Sequence, residues 1–330
     1  MFSTATAATT LLLSRSCYTQ RTKGELVKSR IWILSVFVLA NAATSGPVWA
    51  QSAPASASPT VPASTASVQD DPAVLVPAEP DVVVLNLPTT MRMPLFKGNF
   101  RLTHRFAGNL RNGSFSEQAG NLFGLDQGAI IGFEYRMAVA RDVQAAFYRT
   151  SFAKTIQLYG KYDALRQRGS IPVSVSGLVS IEGTNNFQEQ FAPAFGAVIS
   201  RHIGTHAAAY VTPMWVDNTD ASLAPISHEH DVTPEDGVES TVGSRSTTYV
   251  GFGGRVRIHG STYVAAEVAI RAGGYAPDEA AYGFSLEKRV GGHTFSLTFT
   301  NSLGTTFAQV ARGGAANSLY LGFNLSRKFF

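Results

Sequence analysis

From about residue 97 onward the chain alternates apolar and polar positions in segments of about eight to eleven residues, each rich in Val, Ile, Phe, Tyr and Thr and bounded by Gly, Asn, Asp or Ser. The segments fall at 98–106, 128–138, 142–150, 154–163, 172–181, 191–200, 205–215, 247–258, 262–271, 280–289, 293–301 and 318–329. Side chains on a strand point alternately to its two faces, so each segment presents two unlike sides. In 98–106, Phe100, Leu102 and Phe106 share one side, and Arg101, Thr103 and Arg105 share the other. In 128–138, Ile131, Phe133, Tyr135 and Met137 oppose Glu134 and Arg136. Val250, Phe252, Val256 and Ile258 oppose Arg255 and Arg257 in the same way. A tilted strand of about 9–11 residues crosses a bilayer. The pattern therefore predicts an all-β fold: a transmembrane antiparallel up-and-down β-barrel of about twelve strands, within a range of about ten to fourteen.

The connections carry the same message. With the N-terminus on the periplasmic side, odd-numbered connections face outward, at 107–127, 151–153, 182–190, 216–246, 272–279 and 302–317. The even ones, at 139–141, 164–171, 201–204, 259–261 and 290–292, are mostly short. Long outer loops and short inner turns are the habit of outer-membrane barrels. The tight connection at 151–153 and the longer one at 164–171 depart from it. A soluble sandwich is the competing reading, and it requires the apolar sides to face inward.

Charge changes the picture little. The whole chain carries a formal +4. Five of the 27 basic residues and one of the 23 acidic residues lie within residues 1–50, so the remainder has no net charge and is a poor nucleic-acid binder. Charged residues are 15% of the chain, below the roughly 25% of soluble domains. After residue 50 there is no apolar run long enough for a spanning helix. The only cysteine is Cys17, so the remainder of the chain holds no thiol, as suits an oxidising compartment.

Residues 1–50 read as an export leader. Lys23, Lys28 and Arg30 precede the apolar stretch 31–43, and Val48-Trp49-Ala50 forms a small-x-small cleavage site. Cleavage after Ala50 and the general secretion route are expected. Residues 51–87, rich in Ala, Ser and Pro at their start, read as a flexible periplasmic linker. The barrel is assigned to 88–330. The terminal Phe329 and Phe330 end an amphipathic last strand, and an aromatic there is similar to the signal read by the barrel insertion machinery.

The chain resembles a family of uncharacterised membrane-bound β-barrel domain proteins of Gram-negative bacteria, a domain of unknown function. The resemblance rests on LTHRF at 102–106, NLFGLDQ at 121–127, RTSFAKTIQLYGKYDALRQ at 149–167, GFGGRVRI at 251–258, TFTNSLGTT at 298–306 and the terminal FNLSRKF. It covers about residues 88–330 and implies the fold and an outer-membrane location. It implies no reaction.

Several residues invite chemistry. His228 and His230 form a His-x-His pair that could hold Zn²⁺ or Cu²⁺. They sit among Asp217, Asp220, Glu235, Asp236 and Glu239, so a solvated acidic loop is the simpler reading, and no metal is assigned. Gly251, Gly253 and Gly254 lack a following helix and are read as glycines relieving crowding in a curved strand, not as a phosphate loop. His104 shares the apolar side and is read as a packed structural histidine. No nucleophile-elbow pattern is present, so no enzyme and no cofactor are expected.

The inward-parity charges are Arg101, Arg105, Glu134, Arg136, Lys161, Asp163, Arg255, Arg257, Glu267, Arg271, Glu287 and Arg289. At membrane depth they must be hydrated or paired. One arrangement lines a passive or selective pore, mildly basic, whose permeant is a small solute. The other pairs them across a narrow lumen, giving a non-conducting scaffold that presents its outer loops to a partner. An outer-membrane enzyme is a more distant alternative. The expected surroundings are outer-membrane lipid.

Overall fold

A computed structural model describes residues 78–219 and 245–330. The leader, most of the linker and the His228/His230 loop lie outside the described residues.

Among the described residues the chain forms twelve strands that close on themselves. They are β1 (Gly98–Asn109), β2 (Ala129–Ala140), β3 (Val143–Thr150), β4 (Ile156–Leu165), β5 (Ser174–Gly183) and β6 (Glu189–Ile203), followed by β7 (Ala207–Val216), β8 (Thr247–His259), β9 (Thr262–Gly274), β10 (Ala281–Val290), β11 (His293–Thr300) and β12 (Tyr320–Lys328). Each strand pairs antiparallel with its sequence neighbours, and β1 closes the ring on β12, with Leu102 opposite Leu325. Closure leaves no unpaired sheet edge, the condition for a sheet in hydrocarbon. Each segment predicted from alternation coincides with one strand, with ends shifted by only a few residues.

Most short connections gather at one end of the barrel, the turn end, where only the β4–β5 link is longer. The β8–β9 and β10–β11 links are two residues long, with Gly260 at φ 49° and Gly291 at φ 57°. Positive φ suits a hairpin turn that must follow the twist of its strands. The long connections gather at the other end, the loop end. Among the short helices there are α1 (Phe115–Gly120) and α2 (Phe307–Arg312).

The two faces of the wall are sorted as the sequence pattern predicts. Phe133, Phe284, Leu286, Phe295 and Leu297 point outward and are about half exposed, while Arg101, Glu134, Arg136, Arg255 and Glu287 point inward and are buried. A water-soluble barrel would have the opposite sense. No helix among the described residues is long and apolar enough to cross a membrane.

The interior holds what alternation could not foresee. Residues 78–93 fold back into the barrel, so Ala78 to Leu87 are lumen residues and the linker assignment to 87 extends too far. The reason is physical: Val82, Val83, Val84, Leu85 and Leu87 supply the apolar surface that the Ala/Ser/Pro stretch lacks, and all five are essentially inaccessible. From the loop end, α2 also turns inward, with Phe307, Ala308, Val310 and Ala311 buried.

Candidate functional site: the occupied lumen

Residues 82–89 form a hairpin. The Val84 amide donates to the Leu87 carbonyl at 2.8 Å, the Thr89 amide to the Val82 carbonyl at 3.0 Å, and Val83 bridges Pro88. Both limbs lie at the turn end. The Pro80 carbonyl accepts from Thr294 Oγ1 (3.3 Å) and Lys328 Nζ (2.9 Å), and Arg92 reaches Asp142 in the β2–β3 turn at 2.5 Å. The tip, Val84 to Leu87, reaches the level of Glu267 and Arg105 on the wall.

The wall holds the hairpin chiefly by its backbone. Arg255 Nη2 donates to the Val83 carbonyl at 2.8 Å, Arg136 Nη1 to Val82 at 3.4 Å, and Arg101 Nη1 to Leu85 at 3.3 Å. Asn324 Nδ2 also donates to Leu85 (3.1 Å), and Lys161 Nζ to Thr89 (3.2 Å) and Met91 (2.7 Å). In the reverse sense, Glu267 accepts the amides of Leu85, Asn86 and Leu87 at 2.9, 2.9 and 3.0 Å. Cations thus take carbonyls, and one carboxylate takes a run of amides. All but the Asn324 bond are charge-assisted, and the groups that make them are buried.

The same cations are paired on the wall. Glu134 bridges Arg101 (2.6 Å) and Arg136 (2.8 Å), and it accepts the Tyr159 hydroxyl at 2.9 Å. Arg255 meets Glu287 at 2.6 Å, and Lys161 meets Asp163 at 3.0 Å. Arg105 is held differently: it donates to Asn324 (2.8 Å) and to the hairpin's Asn86 (3.2 Å). The buried wall cations Arg101, Arg105, Arg136, Lys161 and Arg255 are matched in number by the buried wall carboxylates Glu134, Asp163, Glu182, Glu267 and Glu287. The buried wall charges are therefore balanced, not basic as the sequence parity suggests, and the inner segment adds the buried carboxylates Glu79 and Asp81. The remaining predicted arginines sit at the rims. Arg257 donates to Thr205 (3.1 Å) and Arg289 to the Gly291 carbonyl (3.2 Å), both at the turn end. Arg271, at the loop end, donates to the Arg312 carbonyl of α2.

Glycines shape the apolar side of the site. A Cβ at Gly251 would lie 2.7 Å from Leu87 Cδ1, one at Gly283 would lie 2.8 Å from Leu85 Cδ2, and one at Gly253 would lie 3.1 Å from Val84 Cγ2. Three missing side chains on β8 and β10 are thus the sockets for three residues of the hairpin tip. Gly254, on the outward face, has nothing within 4 Å. Gly251 and Gly253 thus make room for the hairpin, not for the curve of the strand alone, while a Cβ at Gly283 would also crowd Phe299 and Thr300 of the neighbouring strand.

From the loop end, α2 closes over this cluster. Glu182, beyond the predicted fifth segment, accepts the Thr306 hydroxyl at 2.8 Å, the Ala308 amide at 3.2 Å and Gln157 Nε2 at 3.1 Å. Thr306 and Gln309 cap the helix reciprocally, and the Phe307 ring lies 5.4 Å from Tyr159. Hairpin tip and helix share one buried apolar cluster that includes Leu85, Leu87, Phe307 and Val310.

Outside the lumen, His104 stacks on Phe323 (ring centroids 4.8 Å apart) and touches Phe106, so it is a packed member of the outer aromatic surface. Phe329 and Phe330 are both about half exposed at the turn end, beneath Arg327 and Lys328 respectively.

A closed antiparallel barrel with an apolar exterior and a polar interior defines a membrane-spanning β-barrel protein. The family model described as the membrane bound beta barrel domain (DUF5777) matches residues 81–329, and the chain belongs to that family. The match begins at residue 81, so it takes in the 82–89 hairpin. No curated protein matches the chain. Among solved structures it is similar to a triple mutant of the Rhodopseudomonas blastica porin, at 13% identity and a TM-score of 0.30, covering 61% of this chain and 55% of the porin. It is also similar to the NanC porin, at 7% identity and a TM-score of 0.41, covering 71% of this chain and 100% of that one. The chain thus spans little more than half the length of the first of these.

Proposed function

We propose that the mature chain is an outer-membrane protein of a Gram-negative envelope, exported by the general secretion route with its leader cleaved after Ala50, whose barrel does not conduct at rest. The observation that carries this is the bonding of the hairpin backbone to β1, β2, β4, β8, β9 and β12 around the lumen, with α2 seated above it. On this reading the barrel is a scaffold and not an enzyme. It presents its outer connections, 110–128 among them, to a partner, and the barrel insertion machinery reads Phe329 or Phe330.

A second reading has one specific observation in its favour. Both limbs of the hairpin lie at the turn end, so the plug can leave without threading, and a small-solute pore then opens. Planar-bilayer recording separates the two. The intact protein is expected to give no steady current at modest voltage. A stable open conductance from the wild-type chain would overturn the closed resting state.

A further inference from the structure

We propose that the lumen is a binding site for a polypeptide hairpin, and that residues 78–93 are its tethered, exchangeable ligand. This rests on the reading of the hairpin as a resting plug, but it is tested by peptide binding and needs no current. Three observations converge on it. First, recognition falls mainly on the peptide backbone: wall cations take the carbonyls of Val82, Val83, Leu85, Thr89 and Met91, and Glu267 takes three successive amides. A wall that packed its own core would pair side chain with side chain. This wall reads the repeating donor and acceptor pattern that any hairpin presents.

Second, the specificity is concentrated at the tip. Val84, Leu85 and Leu87 enter spaces left by Gly253, Gly283 and Gly251, while Asn86 meets Arg105. The ligand class follows: a tight β-turn carrying apolar side chains around one amide side chain. Third, the hairpin adds no strand to the barrel, which closes through β1 and β12 without it. Its one covalent tie within the described barrel is the link to β1, where the Phe96 amide donates to the Ala138 carbonyl at 2.9 Å. Only non-covalent bonds oppose its departure. The same site therefore accepts a matching hairpin supplied by another chain.

The test uses the full chain in detergent or lipid and a fluorescent synthetic peptide of residues 78–93. In the variant Val84→Asp/Leu85→Asp/Leu87→Asp, the chain's own tip is barred from the sockets. The labelled native peptide is expected to bind this variant saturably, and at least tenfold tighter than a peptide carrying the same three aspartates. Equal binding of the two peptides would overturn the proposal. Should the triple variant fail to fold, a cysteine pair decides. Thr90 Oγ1 lies 2.5 Å from Ser200 Oγ on β6, so Thr90→Cys/Ser200→Cys can join the returning limb to the wall. The reduced protein is expected to take up labelled peptide slowly, and the oxidised protein none. A reduced protein that takes up no more peptide than its oxidised form would make the hairpin a permanent part of the fold and end the proposal.

Discussion

At the scale of single residues, the lumen is governed by the cost of leaving a buried charge alone. Arg255 and Glu287 are both fully buried and in contact at 2.6 Å. Removing one partner of such a pair typically costs about 3–5 kcal/mol, whereas replacing both with apolar residues of similar volume is often near neutral. Arg255→Met is therefore expected to lower stability by about that amount, because Glu287 is stranded. Adding Glu287→Met should recover most of the loss. What remains is the Val83 carbonyl that Arg255 also served, worth about 1–3 kcal/mol if left unsatisfied. Urea unfolding of the three proteins reinserted in lipid provides the measurement. A double variant no more stable than Arg255→Met alone would mean that the pair is not the reason these charges are tolerated.

At the scale of elements, what the sequence revealed and what it hid have one cause. Each wall strand has two unlike environments, lipid and lumen, so its residues alternate and the strand is legible from its own letters. Phe284, Leu286 and their inward neighbours Ser285 and Glu287 show this in four consecutive positions. The hairpin has one environment on all sides. Val82 to Leu87 are buried throughout, no period of two appears, and a short apolar run after a Pro-rich stretch reads equally as linker. Parity marks the charged candidates but not their pairing, because Arg101 and Glu134 meet only through the β1–β2 register and Glu267 meets residues some 180 positions away. One further signal is readable in the sequence: glycines at 251, 253 and 283 on inward parity imply that something other than the wall fills the space.

That packing can be tested by a double-mutant cycle. Gly251→Ala places a methyl against Leu87 and should destabilise by about 1–3 kcal/mol, the usual cost of overpacking. Leu87→Ala in the same chain makes room, so the two changes should be far from additive. Gly254→Ala, with open space around it, should be neutral or slightly stabilising. Strict additivity of the 251 and 87 changes in thermal unfolding would remove Leu87 from its socket.

For the whole molecule, the decisive property is which solvent each face meets. The inner face is satisfied by the chain itself: balanced charges on the wall, a hairpin from one end and a helix from the other. The outer face is satisfied only by something apolar. Phe147, Phe195, Phe252, Phe284, Leu286, Phe295 and Leu297 are all about half exposed, spread over β3, β6, β8, β10 and β11. In water so broad an apolar surface would drive association, whereas in hydrocarbon it costs nothing. Depth then becomes a measurable coordinate. Leu286 lies midway along β10 and Val290 at its turn end, both pointing outward. An arginine facing lipid costs about 2–4 kcal/mol at the midplane and about 0–1 near the interface. Leu286→Arg should therefore destabilise the lipid-inserted barrel by a few kcal/mol. Val290→Arg should scarcely matter, since its long side chain reaches the headgroups. In a barrel surrounded by water, neither substitution would carry a penalty and both would aid solubility. Comparing the two arginine variants in bilayers thus reads out whether lipid covers the ring of exposed aromatics, and equal, small effects at both positions would exclude it.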